Sequence, residues 1–220
     1  MKQLFGRDLR PGDVLLRMAT EFSQNLKGDN IPGKVLETAL HKVIGLGQRV
    51  AGQPNAFLAH AAIALDTQFV IEARQAGVTA NHLAMTNRGC GYYVYRCTNA
   101  ALARGAATCA KMFFDIAQTG GNMNYAKIGA VKSLFGPGGN AKSAAEMETL
   151  LDALLKGRNH NFFCSQFVVY VYQLAAYQSG LAAKTLFNIS DAKVSPSVLA
   201  SMLQGNPHFQ EAGYMMPDER

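Results

Sequence analysis

The chain has 220 residues, 49% hydrophobic and 16% charged, a composition that excludes a disordered protein and supplies ample apolar material for a core. Its formal net charge of +6 comes from scattered residues (Arg7, Arg10, Arg17, Lys27, Lys34, Lys42, Arg49 and onward). With no dense basic cluster interleaved with aromatics, this charge points to mild attraction to anionic surfaces and against a dedicated nucleic-acid site.

Length favours one domain over residues 1–220. Cys90, Cys97, Cys109 and Cys164 form no CxxC pair and no zinc-ribbon spacing. A disulfide framework is not expected in a chain of this size, although one bridge, for instance Cys90–Cys97, stays open. Arg7, Asp8, Arg10 and Asp13 interrupt the N-terminus early and leave no signal-peptide core. The longest apolar run, Phe162 to Ala176, is broken by Ser165, Gln166 and Gln173 and falls short of the roughly 18 residues needed to span a bilayer. The expectation is synthesis in the cytoplasm without a general secretory signal, with any action elsewhere depending on another export route.

Pro11-Gly12 is a turn that launches a strand from Asp13 to Met18. A polar stretch, Glu21 to Gly33, precedes a helically spaced segment from Lys34 to Leu46 that Gly45 and Gly47 end. After the Gln53-Pro54-Asn55 loop, Phe57 to Leu65 reads as a buried strand, Asp66-Thr67 as a hairpin tip and Gln68 to Ala73 as its second arm. Gly77 to Leu83 and Gly91 to Arg96 are further strands; Tyr92, Tyr93, Val94 and Tyr95 are strong strand formers.

The chain then turns helical. Asn99 to Gln118 is alanine-rich with an apolar stripe, closed by Gly120-Gly121, and Gly136 to Asn140 is a loop. Ser143 to Leu155 carries a capping box, Ser143 with Glu146, and stops at Gly157. Ser165 to Gln178 is a helix ended by Gly180, and Ser195-Pro196 caps and starts a last short one. The class is α+β: an antiparallel sheet from the first half, packed against helices mostly from the second.

Three residues stand out chemically. Cys164 sits at a helix start, where free amides and the helix dipole stabilise a thiolate and the oxyanion that forms on an attacked carbonyl. Cysteine is also a common core residue. His60 lies among small apolar residues and shares a strand face with Ala62 and Ala64, leaving room for a helix end or a substrate. Glu72 is the only acid in Phe69 to Ala73, and a buried carboxylate needs a partner. Counting back from a tip at Asp66-Thr67 brings residues 60 and 72 close to opposite one another. Together they are the parts of a cysteine hydrolase: thiol, base, and a carboxylate that fixes the tautomer of the base.

The order of these parts resembles the permuted NlpC-like branch of the papain-like cysteine hydrolases, the YaeF/YiiX group, related in circuit to the lecithin:retinol acyltransferase-like proteins. The group runs from a Gly-Asp strand to the His, then to an acidic or polar residue, and ends on Cys-Ser at the start of a long apolar helix. Here these are Leu9 to Leu15 with Gly12-Asp13, Leu58 to Ile63 with His60, Val70 to Ala73 with Glu72, Tyr93 to Arg96, and Phe163 to Val168 with Cys164-Ser165. Val194 to Leu199 resembles the closing segment of the group.

The resemblance implies a papain-like, circularly permuted fold, with Cys164 as nucleophile, His60 as base and Glu72 as third residue. It further implies a thioester-forming amidase or peptidase acting on cell-wall peptides, with lipid esters or amides as the other substrate class. A non-catalytic papain-like binding module is the third alternative. Residues 20–53 and 99–157 are long for the group and read as insertions, the first an insertion or lid. A basic chain without a signal peptide suits an effector toxin delivered by a contact-dependent apparatus such as type VI secretion, with a carrier and an immunity protein as partners.

The reading calls for no cofactor and no metal. His160 and Cys164 lie four apart, but a zinc site needs further ligands and no partner pair is evident. Cys97 follows a strand and is a candidate second thiol near the site, whereas Cys109 reads as core. Gly136 to Asn140 lacks the Lys-Ser/Thr of a phosphate loop. His41, His82 and His208 read as surface or loop residues, and Tyr170, Tyr172 and Tyr177 as helix packing.

Overall fold

The structure, a computed structural model, describes residues 2–18, 55, 57–74, 77–86, 90–118, 164–182, 185–187 and 194–216. The expected helices at Lys34–Leu46 and Ser143–Leu155, the Gly136–Asn140 loop, His41, His160, the whole 20–53 insertion and most of 99–157 lie outside these residues.

Seven strands are described: β1 (Gln3–Leu4), β2 (Val14–Met18), β3 (Leu58–Ala64), β4 (Phe69–Arg74), β5 (Gly77–His82), β6 (Tyr92–Cys97) and β7 (Phe209–Met215). They form one sheet in the order β1-β7-β6-β2-β3-β4-β5. Every neighbouring pair is antiparallel except β1 with β7, so the sheet is mixed where the sequence suggested an antiparallel one. The described helices are α1 (Leu83–Thr86), α2 (Ala100–Gln118), α3 (Cys164–Gln178) and α4 (Pro196–Gln204). None of them is long and apolar enough to cross a membrane.

The ends of these elements follow local chemistry. The Asn99 carboxamide accepts the amides of Ala101 and Leu102 and so caps α2. Ser195 caps α4 by accepting the Val198 amide, with Pro196 in the first turn. Gly180, at φ +74°, ends α3, and the Leu181 amide returns to the Ala176 carbonyl. The segment expected as one strand from Gly77 to Leu83 stops at His82, and Leu83 opens the short α1.

Side chains divide by the two-residue period of the strands. Val14, Leu16, Ala61, Ile63, Ile71 and Ala73 face a large core shared with α2, α3 and α4. Leu15, Ala62, Ala64, Val70, Tyr92 and Val94 face a smaller cluster with Leu4, Leu9 and Met215. α3 is apolar on nearly all sides and buried along most of its length, the mark of a central helix. α2 falls in a stretch that read as an insertion, yet its Leu102, Ala106, Ala110 and Phe113 belong to the large core.

Gly12 joins the sheet to this helical layer. It adopts φ +90°, and a Cβ there would lie 2.2 Å from the Ala103 carbonyl oxygen of α2. Its own carbonyl accepts the Tyr172 hydroxyl of α3. Next to it the buried Asp13 is gripped by Arg96, through Nε at 2.8 Å and a terminal nitrogen at 2.6 Å. The Gly-Asp pair therefore fixes β2 against β6, α2 and α3.

Candidate active site

A row of polar side chains crosses the apolar sheet. Arg17 on β2 pairs in register with His60 on β3. Glu72 and Arg74 follow on β4, and Asn81 on β5. Arg17 and Glu72 are fully buried and His60 nearly so. A charge on a buried strand persists only with partners, and this row provides them.

β3 and β4 are in register at Ile63–Ile71 and Ala64–Val70, and the ladder ends there. Continued, that register sets Ala62 opposite Glu72 and Arg74 opposite His60. His60 and Glu72 are thus diagonal neighbours, two residues out of register, where the count from a two-residue tip brought them close to opposite. The turn is longer: the Leu65 amide donates to the Phe69 carbonyl, and the Asp66 carboxylate accepts the Gln68 and Phe69 amides. Diagonal positions on one face remain within reach of long side chains, and His60 Nε2 bonds Glu72 Oε2 directly.

With Nε2 committed to Glu72, Nδ1 is the ring nitrogen left for Cys164, which hydrogen-bonds His60 from the start of α3. The end of the β3–β4 ladder makes this approach feasible. β3 turns the backbone groups of Ala64 toward β2, where its amide donates to the Asp13 carbonyl at 2.8 Å and its carbonyl accepts the Gly12 amide at 2.8 Å. Ala61, three residues back, therefore points its amide toward β4, beyond the last β3–β4 pair. That amide donates to the Cys164 sulfur, and so does the Ser165 amide in the first turn of α3. The Ser165 hydroxyl donates to the Val194 carbonyl and ties this turn to the segment leading into α4.

The charges follow from this geometry. Burial works to raise the Cys164 thiol, but the His60 charge and hydrogen bond, with the Ala61 and Ser165 amides, bring it below the ordinary value. Burial works to lower His60, and the opposing charges of Cys164 and Glu72 outweigh it and push it up to about 9. Burial likewise opposes ionisation of Glu72, but His60, Arg74 and Arg17 hold its carboxyl far below the usual range. The arrangement favours a thiolate beside an imidazolium, with a carboxylate behind the ring.

The structure thus brings together all three residues singled out from sequence. Reasoning from sequence missed Arg17, Arg74 and Asn81. The signal for Arg74 was present, since it lies two residues from Glu72 and so on the same strand face. Arg17 is one charge in an apolar strand, the same anomaly that drew attention to Glu72.

Other candidates fall elsewhere. All four cysteines are free thiols, Cys90 and Cys97 included. Cys97 is not near the site: it lies five residues along β6 from Tyr92, the residue level with Arg17, or about 17 Å at strand rise. Burial raises its thiol, as it raises that of the core residue Cys109 to about 12. His82 is a half-buried strand residue rather than a surface or loop one, with its ring edge-on to Phe69 at 5.0 Å. His208, half-buried, lies before β7, and its carbonyl accepts the Thr98 amide. Tyr170, Tyr172 and Tyr177 are buried in α3, with the Tyr172 ring against Phe187 and Phe209. Among the described residues no three His, Cys, Asp or Glu side chains cluster as metal ligands. No family model, curated protein or solved structure matches the chain.

Proposed function

We propose that this chain is a papain-like cysteine hydrolase of the permuted kind, cleaving an acyl or peptide amide bond. The observation that carries the reading is one hydrogen-bonded line, Cys164 to His60 to Glu72, with the thiol at the first residue of a buried helix.

The Cys164 thiolate attacks the carbonyl carbon, and the carbonyl electron pair moves to oxygen. The Ala61 and Ser165 amides, which hold the sulfur at rest, stand beside this oxyanion, as does the amide of Cys164 at the helix start. The imidazolium of His60 gives its proton to the departing amine, and the C–N bond breaks to leave a thioester. Neutral His60 then takes a proton from water, whose oxygen attacks the thioester. Collapse expels the thiolate, releases the acid and restores the ion pair. Glu72 holds Nε2, so that Nδ1 faces the sulfur throughout.

The substrate class we favour is a cell-wall peptide amide, with delivery to another cell's periplasm by a contact-dependent apparatus and an immunity protein in the producer. Digestion of purified wall fragments tests this directly. New amino and carboxyl termini, lost in Cys164→Ala, are the expected result. Undiminished hydrolysis by that variant contradicts the assignment of the nucleophile.

A further inference from the structure

Glu72 can orient His60 only if its own carboxylate is held. Its two oxygens divide the work. Oε2 takes the imidazole. Oε1 takes three donors: Arg74 Nε at 2.9 Å, a terminal nitrogen of Arg74 at 2.5 Å, and the Asn81 carboxamide nitrogen. Arg74 arrives from the same strand two residues on. Asn81 arrives from β5, where register puts Thr79 opposite Glu72 and Asn81 two pairs further along, on the same face. The Thr79 hydroxyl lies 3.2 Å from the Asn81 carboxamide nitrogen. Arg17, level with His60 on β2, adds a positive charge on the opposite flank.

We propose that Asn81 and Arg74 are positioning residues for the Cys164–His60–Glu72 site, pinning Oε1 of Glu72 so that Oε2 stays on the imidazole. This rests on the catalytic reading above. A carboxylate with one oxygen loosely held rotates about its last torsion and presents its lone pairs to the imidazole at varying angles. Pinning from two strands removes that freedom. Asn81 is the more telling of the two, because a neutral carboxamide supplies direction where Arg74 supplies direction and charge together. The effect reaches Cys164 through Glu72 and His60, and neither residue acts on substrate.

The test compares the pH dependence of Cys164 alkylation by iodoacetamide in the wild-type chain, Asn81→Leu, Arg74→Lys and Arg74→Gln, with the melting temperature of each. Asn81→Leu keeps bulk and removes the donor. It is expected to slow labelling at pH 6 about tenfold, the size of one hydrogen bond to a charged group, and to move the acid limb toward the free-thiol value. Arg74→Lys, which keeps the charge, is expected to retain more of the wild-type profile than Arg74→Gln. A lower melting temperature with an unmoved profile in both Asn81→Leu and Arg74→Gln overturns the proposal and makes the two residues structural only. If Asn81→Leu does not fold, Arg74→Gln at a partly exposed position decides alone. A wild-type chain with no acid-shifted limb contradicts the catalytic reading itself, whereas an acid-shifted wild type with unshifted variants contradicts only the positioning role.

Discussion

His60 and Glu72 sit two residues out of step on adjacent strands, and their side chains close the diagonal with a direct hydrogen bond. The offset aims Nε2 along the sheet and leaves Nδ1 for the sulfur that arrives at the start of α3. A face-to-face pair would bring the two Cβ atoms closer; in the diagonal one the continued register sets Arg74, two residues from Glu72 on β4, opposite His60.

Glu72→Gln tests the charge behind the ring with little change in shape. Without the carboxylate the imidazolium loses its counter-charge, and the amide group has no fixed way to accept Nε2–H. The expected outcome is a fall in kcat of about 100-fold or more with the fold intact, measured beside the melting temperature. A variant with wild-type kcat contradicts the role given to Glu72.

Hydrolysis and alkylation should part company at high pH. Both need the thiolate, so both rise on an acid limb set by Cys164, whose thiol is held below its ordinary value. Hydrolysis also needs the proton on His60 for the leaving amine. It should therefore decline as pH rises through about 9, where that proton is lost, while alkylation continues. Parallel rate profiles from pH 4 to 10.5 check this.

The same carboxylate links stability to acid. Its folded pKa lies below its unfolded value of about 4.5, so its ion pairs stabilise the fold above that pH and are lost as pH falls through the folded value. Glu72→Ala should cost about 3–5 kcal/mol near neutrality, since it leaves buried cations unpaired. The difference from wild type should shrink as the pH drops below 4.5. Urea unfolding at pH 3, 5 and 7 measures it.

Gly12→Ala should destabilise without touching the chemistry. It forces a side chain into φ +90° and against the Ala103 backbone. A loss of about 2–4 kcal/mol is expected, seen as a melting temperature lower by about 5–10 °C, while the acid limb of Cys164 alkylation stays in place in the folded fraction.

Much of this architecture was readable from residue pattern. The residue pattern placed both ends of α2 and α3 and the start of α4 to within a residue, where Asn99, Gly180 and Ser195 each satisfy a specific backbone need. The hairpin of β3 and β4 was readable too, but its register was not: the Asp66 side chain closes a longer turn than a two-residue tip, which shifts the partners by one. β7 escaped because Gln210, Glu211 and Gly213 break its alternation, and it pairs with β6 through a bulge between Val94 and Tyr95. β1 is two residues long, too short for any periodicity. In the site, Cys164, His60 and Glu72 were legible as residue types out of place in apolar surroundings. Asn81 was not, because a polar residue on an edge strand is ordinary until the sheet sets it beside a buried carboxylate.

The measurement that bears most directly on the whole reading is the pH dependence of Cys164 alkylation, read by peptide mass spectrometry in the wild-type chain and in His60→Ala. Rapid labelling well below the free-thiol pKa of about 8.5, lost in the variant, is the expected result and establishes an activated pair. Slow labelling that His60 does not influence contradicts it and leaves Cys164 a core residue.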